Sequence, residues 1–354
     1  MPERDRGTSR AVNANGAMSG SPPVLEIEDL TTSLVVEGVL RPIVREMSLT
    51  IHAGEVVALV GESGSGKSIT ARSIIGLLPP GARSTGRIGV LGTDVLSLSR
   101  RELRRVRSHQ IGMIFQDPRA HIDPLWPIED YVGEGLRIHK GLNKSQARER
   151  SLALLSSLGI TDEQRVLASF PGQLSGGMLQ RVMIAGALSC EPRLLIADEA
   201  TTALDVTVQS DILAILHDLQ LSHGLSILFI THDLTLASVI CDRVIVMYAG
   251  RPMAVQSAQD LFEAPAHPYA AALVAARPRV DRKMERLQVV PGRPASALEV
   301  TAGCPFRQRC TYAISECAEM KPSLFPLGPD VLTECIRAAD LREQMREGVA
   351  AHHD

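Results

Sequence analysis

Eight consecutive residues constrain this chain more than any others: Gly61, Glu62, Ser63, Gly64, Ser65, Gly66, Lys67 and Ser68. They fit the pattern G-x-x-x-x-G-K-[ST] at every fixed position. An apolar run, Val56–Val60, leads in and reads as a buried parallel strand. Ile69–Leu78 follows as a helix-compatible run that Pro79–Pro80 stops. Strand, glycine turn and helix together make a phosphate cradle. The glycines let successive N–H groups curl inward as an anion nest, and the helix adds its positive N-terminal end. Lys67 is placed to neutralise β- and γ-phosphates, and the Ser68 hydroxyl to ligate Mg²⁺. Ile69, directly behind the motif, joins the eight as a nucleotide-binding position.

The bulk numbers exclude several classes. A chain of 354 residues has room for one large domain and something smaller. Its 45% hydrophobic and 22% charged residues fit a globular protein. A net charge of −3 advertises no nucleic-acid partner, and 3% aromatics are too few for a base-stacking platform. No apolar run approaches the roughly 18–20 residues that span a bilayer. Arg4, Arg6 and Arg10 are followed by no apolar core, so the start does not read as a secretion signal. The expectation is a cytosolic chain whose six cysteines are thiols or metal ligands rather than disulfides.

Residues 1–22 are rich in Gly, Ser, Asn, Ala and Arg without periodicity, and are expected to be a disordered tail, with Met18 as an alternative start. Val24–Leu30 and Met47–Ile51 alternate as strands and predict an antiparallel edge beside the nucleotide. No aromatic residue lies between Pro22 and Glu55, so the base contact there is expected to be aliphatic, with Leu34 as its candidate. The run Arg100, Arg101, Arg104, Arg105, Arg107 reads as a solvated helix face. Ile111–Phe115 is a short strand ending at Gln116, where a glutamine can reach Mg²⁺ or the attacking water. Residues 119–173 turn helical, with Val132–His139 and Ser145–Leu158 as helices, the second closed by Gly159. The lone Trp126 near the start of this insertion is expected to be a packing anchor, contact with a partner being the alternative.

Leu174–Ser175–Gly176–Gly177 runs into a helix, so Ser175, Gly176 and Gly177 form a second anion clamp at a helix N-terminus. One nucleotide loop fills one phosphate site, so this second clamp is expected to face another subunit's nucleotide. Leu194–Ala197 is an apolar strand followed by Asp198 and Glu199. Asp198 is placed to hold Mg²⁺ through water, and Glu199 to polarise the attacking water as general base. Thr201–Asp205 follows. Val208–Leu221 reads as a helix, Ser226–Ile230 as the next buried strand and Val244–Met247 as another. His232 stands at the tip of the Ser226–Ile230 strand, where it can hydrogen-bond the γ-phosphate and orient water. Cys190 and Cys241 fall beside apolar elements and read as core.

His267–Ala270 opens an alanine-rich helix ending near Pro278, and 271–300 reads as a linker. A cysteine-rich unit, 301–340, holds Cys304, Cys310, Cys317 and Cys335, with 341–354 as a trailing tail. Clustered cysteines argue for a metal, although C-x5-C-x6-C-x17-C is not a common zinc pattern. Four thiolates suit an iron–sulfur cluster or Zn²⁺, and unligated thiols are the alternative.

These motifs, in this order, resemble those of the ABC-type ATPases over residues 23–270. GESGSGKSITARSIIGLLP, IGMIFQDP, PGQLSGGMLQRVMIA and DEATTALDVTVQ are similar to the D-type ATPase subunits of bacterial oligopeptide/dipeptide importers, as are HPY, GCPFRQRC and the two later cysteines. The resemblance implies an α/β P-loop NTPase fold, an ABC nucleotide-binding domain with an antiparallel β edge, a helical subdomain near 117–190 and a small Cys-rich C-terminal extension. It implies ATP and Mg²⁺, and a [4Fe–4S] cluster on Cys304, Cys310, Cys317 and Cys335. Glu199, His232, Gln116 and Lys67 become the catalytic set. The implied partners are two transmembrane permease subunits, a second F-type ATPase subunit or a second copy of this chain, and indirectly an extracytoplasmic binding protein, all serving the cytoplasmic face of the cell membrane. A nickel or other small-solute importer, or a soluble ABC ATPase outside transport, are the alternatives. The sequence departs from the family's pattern in the missing aromatic before the loop, in Asp117–Pro124 and in Ala200, where a proline is common; none removes a catalytic group.

Overall fold

Every residue of Val56–Val60 is buried, and successive side chains enter two different cores. Val56, Ala58 and Val60 belong to one, Val57 and Leu59 to the other. That alternation is what a strand covered on both faces requires. The structure, a computed structural model, describes residues 12–13, 17–18, 22–200, 205–277, 289–300 and 302–350.

Strands β1 (Pro23–Val36) and β2 (Val39–His52) form a long hairpin. β3 is Val56–Val60; β4 (Arg83–Val90) and β5 (Thr93–Asp94) complete a four-stranded antiparallel sheet in the order β2-β1-β4-β5. The central sheet adds β6 (Ile111–Ile114), β7 (Leu194–Asp198), β8 (Ser226–Thr231), β9 (Arg243–Tyr248), β10 (Arg251–Ser257), β11 (Phe325–Gly328) and β12 (Val331–Thr333). Its order is β11-β12-β10-β9-β3-β8-β7-β6. The five strands from β9 to β6 are parallel. Their carboxyl ends therefore share one edge, where ligands bind in open α/β sheets. The antiparallel sheet covers one face, burying Leu25, Ile27 and Ile51 with Val57, Leu59 and Ile245. Helices cover the other: Ile128, Val132, Leu155, Val182 and Leu216 pack with Val56, Ala197 and Phe229.

The expected antiparallel edge is thus a whole second sheet. Its hairpin extends through Leu34 and Val36, well past Val24–Leu30, because β1 and β2 stay paired out to the Glu37–Gly38 turn. The helix after the glycine motif spans Lys67–Ile74 and is left at Ile75–Gly76, before the prolines. The two expected insertion helices are present as Ile128–His139 and Lys144–Ser157, the latter opened by an Asn143/Gln146 capping box. The basic run forms helix Arg100–His109, and most of its arginines are exposed. Arg107 is the exception: it donates to Ile75 O at 2.5 Å and Gly76 O at 2.7 Å, satisfying carbonyls at the preceding helix's end.

Four expectations are corrected. Trp126 is not a packing anchor: it is 56% exposed and its neighbour Leu125 81%. The turn through Asp123, whose side chain accepts from Leu125 N–H at 2.9 Å, turns both side chains outward. Of the leading segment 1–22, residues 1–11, 14–16 and 19–21 lie outside the described residues, and in the rest Val12–Asn13 pairs antiparallel with Ala17–Met18, a pairing too short to leave a sequence pattern. Residues 341–350 are no tail: Ala338–Ala350 is a helix, with Ala338, Leu341, Met345 and Val349 buried at helical spacing, and 351–354 lie outside the described residues. The Cys-rich extension is not set apart, because its hairpin β11–β12 extends the central sheet through β10 and Phe306 is buried in the main core. As for the remaining cysteines, Cys241 is core as expected and Cys190 is half-buried.

Candidate functional site

The strand tips meet at one cavity of about 770 Å³. Gly61, Glu62, Ser63, Gly64, Gly66, Lys67, Ser68 and Ile69 line it, with Gln116, Glu199 and His232 opposite and Ile43, Leu234, Leu273 and Pro294 completing the wall. β3 delivers the glycine loop, β6 Gln116, β7 Asp198 and Glu199, and β8 His232. Gly61 cannot carry a side chain, since a Cβ there would lie 2.1 Å from Met247 O. Gly66 opens the helix at φ +104°, a left-handed backbone that suits glycine.

Lys67 is 4% exposed and donates to Gly61 O at 2.8 Å and Glu62 O at 3.0 Å. Burial holds its ammonium below the usual lysine range, while Glu199, Asp198 and Glu62 oppose that fall. The ammonium thus sits inside the loop's curl, aimed at whatever anion enters. Ser68 Oγ donates to Asp198 Oδ1 at 3.0 Å. Burial raises the Asp198 carboxyl above its ordinary range, the Ser68 bond opposing this. A hydroxyl beside a buried carboxylate is a hard-oxygen donor pair that fits Mg²⁺.

Glu199 Oε2 accepts from Gln116 Nε2 at 2.7 Å, and His232 Nδ1 lies 3.7 Å from Oε1, beyond hydrogen-bond range. Glu199 also adopts φ +49°, uncommon for a residue with a side chain, and its N–H donates to Ile230 O at 3.0 Å. The strained turn lifts the carboxylate off the strand end toward the cavity. The structure therefore brings seven of the eight loop residues to the cavity with Ile69, Gln116, Glu199 and His232; Ser65 is buried within the loop, and Asp198 joins through its bond to Ser68.

It does not bring Ser175, Gly176 or Gly177 there; none of them lines this cavity. They open helix Gly176–Leu188, where Ser175 Oγ accepts from Met178 N–H at 3.3 Å, and Ser175 and Gly176 are exposed. Of Thr201–Asp205, residues 201–204 lie outside the described residues; Asp205 caps helix Val206–His223 by accepting from Val208 N–H. Leu34 does not line the cavity, because it sits far along the hairpin opposite Arg41; Ile43, Leu273 and Pro294 supply the aliphatic wall instead. Tyr269 and Arg309 were missed altogether. Glu62 N–H donates to the Tyr269 hydroxyl at 3.1 Å, and Arg309 pairs with the Glu62 carboxylate. Only the HPY and GCPFRQRC motifs marked those positions, without a role.

The expected metal centre in the C-terminal region is not formed. Cys304, Cys310, Cys317 and Cys335 are free and gathered in one unit, where Cys304 N–H donates to Cys317 O at 2.7 Å. Yet among the described residues no group of three or more His, Cys, Asp or Glu side chains is arranged to hold a metal ion. As placed, the four cysteines fit neither a [4Fe–4S] cluster nor zinc.

Known proteins match the chain along its length. The family model for "ABC transporter" matches residues 44–202, and that for "Oligopeptide/dipeptide transporter, C-terminal region" matches 255–317. The oligopeptide transport ATP-binding protein OppD of Salmonella typhimurium is 41% identical over 317 residues, covering 90% of this chain and 94% of that protein. The dipeptide transport ATP-binding protein DppD of Bacillus subtilis is 42% identical over 301 residues, covering 84% and 90%. Among solved structures, the dimeric bacterial ABC transporter cassette MJ0796 superposes with a TM-score of 0.60 at 28% identity, covering 66% of this chain and 98% of that one. The cbiO1 protein of Clostridium perfringens, described as part of the ABC transporter complex cbiONQ, gives a TM-score of 0.58 at 30% identity, covering 68% of this chain and 90% of that one.

Proposed function

The chain belongs to the ABC transporter ATP-binding family, in its oligopeptide/dipeptide branch, and from that premise we propose that it hydrolyses ATP to power peptide uptake through separate permease subunits. The observation that carries the chemistry is the Gln116–Glu199 bond facing the Lys67 loop across one cavity. Lys67 and the loop N–H groups hold the β- and γ-phosphates, Ser68 and Asp198 with Gln116 would hold Mg²⁺, and Glu199 takes the proton of the attacking water. His232 hydrogen-bonds the γ-phosphate and orients that water. Bound Mg²⁺ neutralises the charge that develops on the transferred group.

Ser175, Gly176 and Gly177 serve the ATP of a second ATPase subunit, either a copy of this chain or a related F-type chain. The exposure of Ser175 and Gly176 at a helix N-terminus, with none of the three lining this chain's own cavity, supports that reading, as does the dimeric form of MJ0796. Among the described residues no helix is long and apolar enough to cross a membrane. By its kinship with the peptide-transport ATP-binding proteins, the chain works from the cytoplasmic face, against two permeases fed by an extracytoplasmic binding protein. Leu125 and Trp126 are adjacent exposed apolar residues near the start of the helical insertion and form the permease contact. A [4Fe–4S] cluster on the four tail cysteines is supported by the sequence resemblance alone; iron content and the visible spectrum of anaerobically purified protein test it.

The test of function is ATP turnover and uptake by the assembled transporter in vesicles. Di- and oligopeptides should stimulate both. Stimulation by nickel and not by peptide would move the chain to another importer class, and hydrolysis with no solute response would remove transport.

A further inference from the structure

Glu62, the second residue of the phosphate-binding loop, is held at both its main chain and its side chain by residues more than two hundred positions downstream. Its N–H donates to the Tyr269 hydroxyl, and its carboxylate is forked by Arg309: Nη1 to Oε2 at 2.6 Å and Nη2 to Oε1 at 3.1 Å. Arg309 lies in the C-terminal region, directly before Cys310. Its remaining donors are all used, Nε to Pro291 O at 2.7 Å, Nη1 to the Tyr248 hydroxyl at 3.3 Å and Nη2 to Val290 O at 3.2 Å. A guanidinium has five N–H groups, and each one here has an acceptor. The group also lies 5.7 Å from the Tyr248 ring centre and 5.9 Å from that of Phe306. Its side chain is 5% exposed. This is not a surface ion pair, whose contribution would be small.

We propose that Arg309 is a positioning residue of the nucleotide site, supplied by the C-terminal region to the phosphate-binding loop. This rests on the ATP site described above. Glu62 lines the cavity that receives the phosphates, and its carbonyl is one of the two main-chain acceptors of Lys67. An unpaired carboxylate there repels a polyphosphate, and its backbone carries Lys67 with it when it moves. Arg309 neutralises the carboxylate and, with Tyr269, fixes the loop before ATP arrives. The binding loop and the C-terminal region therefore act as one unit.

Titration of the full-length chain with a fluorescent ATP analogue and Mg²⁺ tests this, with the melting midpoint measured alongside. Arg309→Ala should weaken binding about tenfold, the scale of one lost charge interaction. Adding Glu62→Gln to Arg309→Ala removes the stranded carboxylate and should restore affinity to within about threefold of wild type. A merely structural arginine would show no such rescue. Arg309→Lys keeps the charge without the fork and should fall between the two, which serves if the alanine variant does not fold. Wild-type affinity in Arg309→Ala, or a double variant as weak as the single, would overturn the proposal. Failure of the wild-type chain to bind the analogue would instead overturn the ATP-site reading on which it rests.

Discussion

Gln116 and Glu199, 83 residues apart, are joined by a 2.7 Å hydrogen bond from the amide Nε2 to carboxylate Oε2. The bond crosses from the tip of β6 to the tip of β7 and links the start of the helical insertion to the group assigned as base. On the proposed assignment, an insertion that moves against a permease would pull on the Glu199 carboxylate through this one side chain.

Glu199→Gln keeps the hydrogen-bonding shape but cannot take a proton. Turnover should fall by roughly 10²–10⁴, the usual contribution of a positioned base, while ATP binding persists. Stopped turnover with intact nucleotide affinity is the expected pair of results; near wild-type hydrolysis would remove Glu199 from its role.

Trp126→Ala should leave the melting midpoint of the isolated chain within the range of surface substitutions, about 0.5 kcal/mol, because the ring is 56% exposed. In assembled transporter the same change should lower peptide-stimulated turnover and complex yield. Normal assembly and stimulation would mean that the permease docks elsewhere.

Much of this was readable beforehand, and the reason is geometric. A strand tip followed by a chemical residue leaves a local signature, so Lys67, Gln116, Asp198, Glu199 and His232 could each be placed from a few neighbours. Contacts across distant sequence leave none. Ile43 and Pro294 reach the cavity only because of hairpin length and the path of the C-terminal region. Trp126 was misjudged because composition favours burial of tryptophan, whereas the turn at Asp123 directs it outward. Leu341, Met345 and Val349 follow helical spacing, but a short amphipathic stretch at the end of a sequence carries no local mark of the body it docks on.

That last helix carries a stability prediction. Leu341 and Met345 are each 2% exposed against the main body. Leu341→Ala should cost about 2–5 kcal/mol in chemical denaturation. A loss under about 0.5 kcal/mol would show that the helix does not dock in solution.

His267 gives a pH signature. It is fully buried, its Nδ1 accepts from Tyr269 N–H at 2.9 Å as the cap of helix Pro268–Ala275, and burial lowers its pKa from 6.5 to about 3. The folded state therefore resists the proton that the unfolded chain accepts. Stability from this site is complete above pH 6.5 and is lost as pH falls toward 3. Asparagine caps helices without titrating. The stability gap between wild type and His267→Asn should therefore shift in the variant's favour by about 1.4 kcal/mol per pH unit below 6.5. A gap that does not change with pH would contradict the buried neutral imidazole.

The central claim is that this chain holds half of each ATP site, Ser175–Gly177 completing the site of a companion subunit. Sedimentation of Glu199→Gln with its companion ATPase subunit, with and without Mg²⁺ and ATP, tests it most directly. The account predicts a nucleotide-dependent dimer that Gly177→Asp abolishes. It is contradicted if the variant stays monomeric with ATP bound while a lone wild-type monomer hydrolyses ATP at full rate whatever its concentration.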